Sequence, residues 1–581
     1  MNMKKLPIGV SDFKKIIEEN YYYIDKTLLI KDVIDSGDKI LLIPRPRRFG
    51  KTLNISMLGY FYGCCPIGFH PKTDPSIQSR ENPSAGPYHY LFDSLAISKA
   101  GPKYLEKMGK YPVIFLTFKD IKEKKWNICW SKIKELIQEE YLRHDYLLEA
   151  PGMKPVEKDY FKKIISLEGD DGNYESSLRK LLIFLTRYYN QRAVVLIDEY
   201  DAPVHAGFNS DYYDEIIYFM SNFLGGGLKD TDPYLEKGVV TGIMRIAKES
   251  IFSGFNNAGV YTLLSEDFND HFGFTEDEVK IMLDDFQVSH MLEQVQRWYN
   301  GYRFGNKVIY NPWSIINFLR SKEKEFIPYW VNTSDNEIVE TLLSKRKTGL
   351  RKELEQLIRG ESIEKPIEEN IILKDVFRRD DLLWSFLLMG GYLKQTARRR
   401  DDVSDKVYYT LSIPNKEVRK TYTDIIDRYF STRIENEKME VMLKALIEGD
   451  IKVFEKMLKE VVRAVCSYHD LSGQPEKVYH ALVMGLLIWI TNTHEVKSNR
   501  ESGYGRYDIM IIPKDISKIG YVIEFKTVDK ADNETVESAL ESALTQIEEK
   551  KYETELIERG ITRIKKMGIA FLGKKVFVKV F

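Results

Sequence analysis

Short apolar runs alternate with helical periods through the first half of the chain. Lys39 to Ile43 is an apolar stretch stopped by Pro44, followed by a basic, turn-forming segment and then by Thr52 to Tyr62, where Leu53, Met57, Leu58 and Phe61 recur at helical spacing. The pattern predicts strand, loop, helix. Further buried strands are predicted at Pro112 to Phe118, Ala193 to Ile197 and Gly238 to Met244, with amphipathic helices near Leu178 to Tyr189 and Tyr212 to Leu224. Apolar strands interleaved with helices imply a parallel sheet covered on both faces, an α/β fold.

Beyond about Asp270 the strand signal fades. Helical patterns cover Glu278 to Trp298, Pro312 to Leu319, Glu337 to Ile358 and Asp380 to Met389, and the charge-rich Arg398 to Asp405 reads as a solvated turn or linker. The aromatics between Trp298 and Trp313 fit packing in a turn-rich connector better than a stacking platform for bases. A third region begins near Arg433, with helical patterns at Val441 to Leu446, Ile451 to Cys466 and Val478 to Ile490. Strands at Arg506 to Ile512 and Gly520 to Val528 follow, then a helix from Asn533 to Tyr552 and strand-like segments at Ile561 to Leu572 and Lys575 to Phe581. The expected organisation is a parallel-sheet α/β domain at 1–270, a helical lid or connector at 271–430 and a compact α/β domain at 431–581.

Composition narrows the class. The 581 residues are 43% hydrophobic and 30% charged, with 86 Lys+Arg against 87 Asp+Glu, which is the balance of globular domains and excludes extended disorder. A net charge of -1 gives no global field toward phosphate, so any grip on nucleic acid must be local. The four cysteines, Cys64, Cys65, Cys129 and Cys466, have no zinc-knuckle or redox spacing. No segment reads as a signal peptide or a membrane span, and a cytoplasmic location is expected.

Arg45-Pro46-Arg47-Arg48-Phe49-Gly50-Lys51-Thr52 matches the phosphate-loop pattern G-x-x-x-x-G-K-S/T at every fixed position except the first, where Arg45 replaces glycine. In such loops backbone N–H groups and the helix N-terminus wrap the phosphates, the lysine reaches the outer ones and the hydroxyl holds Mg²⁺. Lys51 and Thr52 supply the last two parts, and Arg45, Arg47, Arg48, Phe49 and Gly50 complete the candidate ATP-binding loop. The apolar Ala193 to Ile197 ends in Asp198 and Glu199, an arrangement that places one carboxylate, Asp198, on the Mg²⁺ shell and a second, Glu199, beside an attacking water as general base. At the end of the next strand, Thr241 could sense the γ-phosphate and Arg245 could stabilise its charge, in cis or across a homo-oligomer interface; a plain strand-end Thr and surface Arg is the equal alternative.

A second constellation lies near the C-terminus. In Val522-Ile523-Glu524-Phe525-Lys526, strand alternation points Ile523 and Phe525 one way and Glu524 and Lys526 the other. Asp508 opens the preceding strand within reach of Glu524. Two carboxylates and a lysine at a sheet edge suit metal-dependent phosphodiester hydrolysis, with Asp508 and Glu524 holding Mg²⁺ (or Mn²⁺) and Lys526 orienting the water or neutralising charge.

These segments resemble a known family. Leu6 to Val10 with Phe13, Tyr22 to Thr27, Arg45 to Thr52, Leu196 to Pro203, Gly242 to Gly254 with Arg245, Ser250 and Phe252, and Trp298 to Tyr302 followed by Tyr310 to Ser314 look like the AAA-ATPase-like family often fused to a PD-(D/E)XK nuclease. That family's loop reads Arg-Pro-Arg-Arg-Phe-Gly-Lys, so the resemblance makes Arg45 a family feature. It implies a P-loop ATPase joined to a restriction-endonuclease-like domain that cuts nucleic acid, with DNA the expected partner, in a mobile-element or defence setting. It also implies a helix-borne acid, Glu476 first and Glu501 second, and a site-touching polar residue at Gln546 with Tyr552 nearby; His480 reads as structural. The alternatives are a nucleotide-dependent oligomeric switch or a scaffold with a degenerate site.

Overall fold

The computed structural model describes residues 4–64, 87–246, 258–330, 353–354, 356–358, 360–371, 373–376, 379–402, 405–431, 436–465, 483, 486–487, 490, 493–498, 501–528, 534–573 and 575–581. Two compact units emerge, one of residues 1–339 and 364–418, the other of residues 340–363 and 419–581.

In the first unit, β1 (Ile40–Pro44), β2 (Val113–Thr117), β3 (Ala193–Asp198) and β4 (Leu235–Gly242) are followed by the two-residue β5 (Arg245–Ile246) and by β6 (Ala258–Val260). Five of them make an all-parallel sheet in the order β2-β3-β4-β1-β6. Every residue of β1 and β3 is buried, as strands covered on both faces require, which is why these runs are apolar without alternation. Register places Thr117 opposite Asp198 and Ile43 opposite Thr241, so the polar strand ends collect on one edge beside the loop after β1. In open sheets of this kind, the carboxyl ends of the strands are where ligands bind.

The 271–418 stretch mixes helix and sheet. β7 (Phe274–Thr275), β8 (Tyr302–Phe304) and β9 (Lys307–Tyr310) form a small antiparallel sheet among the helices Glu276–Asp285, Leu292–Tyr299 and Pro312–Arg320. Tyr299, Tyr302 and Tyr310 are buried there, in the packing role expected of them. β10 (Ile363–Pro366), β12 (Lys394–Arg400) and β13 (Val407–Ser412) make a three-stranded sheet, and β11 (Asn370–Ile371) pairs with β5. The charged run at Arg398 is therefore strand and not linker through Arg400. Its arginines face solvent, Arg399 paired with Glu364 and Arg400 with Asp405, while the apolar alternation that marks a sheet sits on β13 at Tyr409 and Leu411. Most of the helix expected at 337–358 lies outside the described residues.

In the second unit, β14 (His494–Ser498) leads to a ribbon of β15 (Glu501–Ser502) and β16 (Gly505–Arg506). β17 (Ile509–Pro513), β18 (Gly520–Thr527), β19 (Ile564–Leu572) and β20 (Lys575–Val580) then complete a five-stranded mixed sheet ordered β14-β17-β18-β19-β20. Its alternation is strict. Ile509, Ile511, Tyr521, Ile523 and Phe525 enter one core with the helices Asn436–Glu448 and Ile451–Val465, whereas Met510, Ile512 and Val522 enter the opposite one with Ile547 and Tyr552. The helix Val536–Glu549 begins at a Thr535 capping box and crosses β18 and β19; Gly568 allows this, since a Cβ there would lie 3.2 Å from the Leu540 carbonyl oxygen. Among the described residues no helix is long and apolar enough to cross a membrane.

Candidate nucleotide and nuclease sites

The loop after β1 turns sharply into the helix Lys51–Tyr62. Arg48 (φ 69°) and Gly50 (φ 82°) both take left-handed backbone, and nothing lies within 4 Å of a Cβ built on Gly50. That conformation, not crowding, favours glycine at 50. Phe49 is fully buried against Tyr302 and Phe304 and anchors the turn. Lys51 is buried and donates from Nζ to the carbonyls of Arg45 (3.0 Å) and Pro46 (2.9 Å). Burial lowers its pKa against the pull of Glu199 and Asp198.

Asp198, at the end of β3, is wholly buried. Its Oδ2 accepts from Thr52 Oγ1 at 2.8 Å and Thr117 Oγ1 at 3.5 Å, and its Oδ1 from Thr241 Oγ1 at 2.7 Å. Thr52 and Asp198 thus bring two oxygen donors together, a fit to a hard cation that keeps most of its waters. Glu199 follows with φ 50°, a strained conformation for a side chain of its size, and lines a cavity of about 270 Å³ together with Arg47, Arg48, Lys51 and Thr52. Arg48 lies over the Trp313 ring at 4.3 Å, and burial lowers its pKa.

Some expected contacts take another form. Arg45 is 0% exposed and turned away from the cavity. It donates to the carbonyls of Pro44 (2.8 Å), Tyr261 (2.6 Å) and Phe268 (3.0 Å), between the rings of Phe272 and Phe304. It braces the loop from beneath and does not line the cavity. Burial pulls its guanidinium down to about 9, which leaves it charged at neutral pH. Thr241 is also fully buried and its hydroxyl is directed to Asp198, so it orients that carboxylate. Arg245 sits on β5 and is not among the residues lining the cavity; Ser250 and Phe252 lie outside the described residues.

Several residues escaped sequence reasoning. Asp201 is buried and accepts from the amides of Ile243 (2.7 Å) and Met244 (3.1 Å), fixing the turn after β4; burial raises its pKa, but His205 and those amides outweigh it and the net shift is downward. Thr117, Lys119 and Lys122 stand at or just beyond the end of β2, the position that Asp198 and Glu199 occupy on β3, and that parallel was the available signal. The far wall of the cavity comes from Gly9, Ser11 and Tyr23 with Pro312 and Trp313. Lys26 pins this N-terminal segment by donating to Glu278 (2.7 Å) and the Asp270 carbonyl (2.6 Å).

The second site lies on the face of the C-terminal sheet opposite Ile523 and Phe525. Asp508 Oδ2 accepts from the Phe525 amide at 2.7 Å, which places it beside Glu524 across the β17–β18 pair. Glu524 is 4% exposed. Gln546 bridges the motif, donating from Nε2 to Glu524 Oε1 while its Oε1 accepts from Lys526 Nζ at 2.7 Å; Lys526 Nζ is 3.7 Å from Glu524 Oε1. Tyr552 joins through its hydroxyl, 3.2 Å from Gln546 Nε2, and burial raises its pKa with help from the charges of Glu524 and Asp508.

Among the described residues no cluster of three or more His, Cys, Asp or Glu could hold a metal. Asp508 and Glu524 alone offer two carboxylates, which suits Mg²⁺ with water completing its shell. Glu476 and His480 lie outside the described residues. Glu501 is placed on the exposed ribbon, 3.8 Å from Arg506 with its side chain 80% exposed, and no described contact joins it to Asp508 or Glu524.

Comparison with known proteins matches both halves. Residues 7–67 and 81–252 fit the AAA-ATPase-like family model, described as predicted AAA-ATPase, and residues 474–581 fit the model of the PD-(D/E)XK nuclease superfamily. A relative in Azotobacter chroococcum mcd 1, named "Uncharacterized protein in vnfD 5'region", is 25% identical over 427 residues, covering 73% of this chain and 70% of its own.

Proposed function

We propose, for a chain that carries an AAA-ATPase-like domain at its N-terminus and a PD-(D/E)XK nuclease superfamily domain at its C-terminus, that the first binds and hydrolyses ATP and the second cuts nucleic acid under its control. The observation that carries the reading is the bridge at Gln546, which holds Glu524 and Lys526 together beside Asp508 at one sheet face.

Each residue has a defined part. In the ATPase, Lys51 exchanges the carbonyls of Arg45 and Pro46 for the outer phosphates, and the loop amides with the helix N-terminus cradle the rest. Thr52 and Asp198 would hold Mg²⁺, Thr241 and Thr117 orient Asp198, and Glu199 would accept the proton of the attacking water. In the nuclease, Asp508 and Glu524 would hold the divalent ion, which would supply a more acidic bound water and positive charge against phosphate. Lys526 orients that water or neutralises the pentavalent phosphate, and Gln546 fixes its direction. DNA is the substrate assigned, in the cytoplasm.

The test is cleavage of single- and double-stranded DNA and RNA by the full chain, with Mg²⁺ or Mn²⁺ and with or without ATP, beside Glu524→Ala. Cutting lost in the variant and altered by ATP is the expected result. Cutting that survives Glu524→Ala would place the chemistry elsewhere, and equal rates with and without ATP would remove the gating.

A further inference from the structure

A two-residue turn, Gly503–Tyr504, joins β15 and β16 and is fastened to the segment that carries Tyr552. Tyr504 donates its amide to the Lys550 carbonyl at 2.7 Å. Ser502 Oγ donates to the Tyr552 carbonyl at 2.8 Å and accepts from the Glu555 amide at 3.3 Å. Gly503 (φ 61°) docks so closely that a Cβ would fall 2.2 Å from the Lys550 carbonyl oxygen. A Cβ on Gly505 would fall 3.2 Å from the Tyr552 hydroxyl, which itself reaches Gln546. The ribbon is thus fastened to the segment that carries Tyr552, whose hydroxyl meets the Gln546 that bridges Glu524 and Lys526.

Its tip carries an unusual load. Tyr504 is 72% exposed on this otherwise anchored turn, with Lys551 Nζ 5.7 Å from its ring centroid. Lys550 and Lys551 are exposed, and among the described residues neither joins an ion pair; the Arg506 side chain is 72% exposed and meets only Glu501, at 3.8 Å. Of the nearby acids, Glu548 and Glu553 pair with Lys566 and Glu555 with Lys497 and Arg559, while the exposed Glu549 joins no ion pair among the described residues. A solvent-facing aromatic on an anchored turn, beside two exposed lysines that join no ion pair among the described residues, matches the chemistry of a base stacked on a ring with its phosphates on lysines.

We propose that the Glu501–Arg506 ribbon is the strand-engaging element of the nuclease, stacking a DNA base on Tyr504 and taking adjacent phosphates on Lys550, Lys551 and Arg506. Resting on the nuclease reading above, the assignment adds what brings the strand to Glu524 and Lys526.

The experiment uses the full chain carrying Glu524→Gln, to hold DNA without cutting it, and follows anisotropy of a labelled single-stranded oligonucleotide. Adding Tyr504→Ala weakens binding about 5- to 100-fold, as loss of one stacked base does, whereas Tyr504→Phe binds like the parent. Lys550→Gln with Lys551→Gln reduces the slope of log K against log salt by about 1.4, two single-strand phosphate contacts. In the cutting-competent chain, Tyr504→Ala raises KM and leaves kcat in place. If the parent cuts DNA and Tyr504→Ala binds and cuts equally well, the ribbon's role is overturned while the nuclease stands. A parent that neither binds nor cuts any nucleic acid overturns the nuclease reading and the ribbon's role with it.

Discussion

Glu417 offers a quantitative test of how the AAA-ATPase-like unit is held together. Its carboxyl is fully buried, accepting from the Trp330 amide at 2.7 Å and from Ser314 Oγ at 2.8 Å, and the Trp330 indole in turn donates to the Arg47 carbonyl in the loop after β1. Burial pushes its pKa from the ordinary 4.5 up to about 7, against the donors from Trp330 and Ser314. Between these values the folded chain binds a proton that the unfolded chain releases. The stabilisation is therefore fully present below about 4.5 and is lost as pH rises through about 7. A shift of this size is worth about 3 kcal/mol, of which about 2.5 kcal/mol falls between roughly pH 5 and pH 8. Glu417→Gln keeps an acceptor for Trp330 and a donor for Ser314 but does not titrate. Urea unfolding of the full chain followed by tryptophan fluorescence reads the right unit, since every tryptophan except Trp489 lies within it. The stability difference between the two pH values should be smaller in Glu417→Gln by about 2.5 kcal/mol, other titrations cancelling in the comparison. Equal pH dependence in both proteins would refute the reasoning.

Three further outcomes follow from named contacts. Lys51→Ala weakens ATP binding by about 10- to 100-fold, the worth of a charge-assisted contact to phosphate, and calorimetry showing unchanged affinity would move the nucleotide elsewhere. Arg45→Met leaves the carbonyls of Pro44, Tyr261 and Phe268 without their donor and lowers stability of the first unit by about 3 kcal/mol or more; an unaltered unfolding midpoint contradicts its bracing role. Gln546→Leu removes the bridge between Glu524 and Lys526 and slows cleavage or weakens metal binding by about 10- to 100-fold, and wild-type turnover across a Mg²⁺ titration counts against it.

The candidate sites were legible where local periodicity alone fixes direction. Glu524 and Lys526 share a face because strands alternate, and the same rule sends Ile523 and Phe525 to the opposite core. The acids after β3 and the lysine after β1 converge because parallel strands end on the same edge. Arg45 misled for a reason equally physical. An arginine in a phosphate loop reads as a phosphate ligand, and only the fold brings the carbonyls of Tyr261 and Phe268, more than two hundred residues away, into its reach. The β12–β13 pair was hidden because its charges all face water and composition there imitates a linker.

The two candidate sites show the same division between side chains that hold a neighbour and side chains that face the site. On the proposed roles, each pairs residues that would reach a ligand, Lys51 with Thr52 in one and Glu524 with Lys526 in the other, with a polar group that holds its neighbour: Thr241 on Asp198, Gln546 between Glu524 and Lys526. Such holders carry no motif, because a threonine or glutamine is ordinary at a strand end or on a helix. Their effect depends on a low-dielectric surrounding, where an oriented dipole acts strongly and an unheld carboxylate or lysine would have several competing partners. Loss of a holder should accordingly leave binding of the nucleotide or DNA largely intact and appear in turnover, whereas loss of a reaching residue such as Lys51 should appear in binding itself.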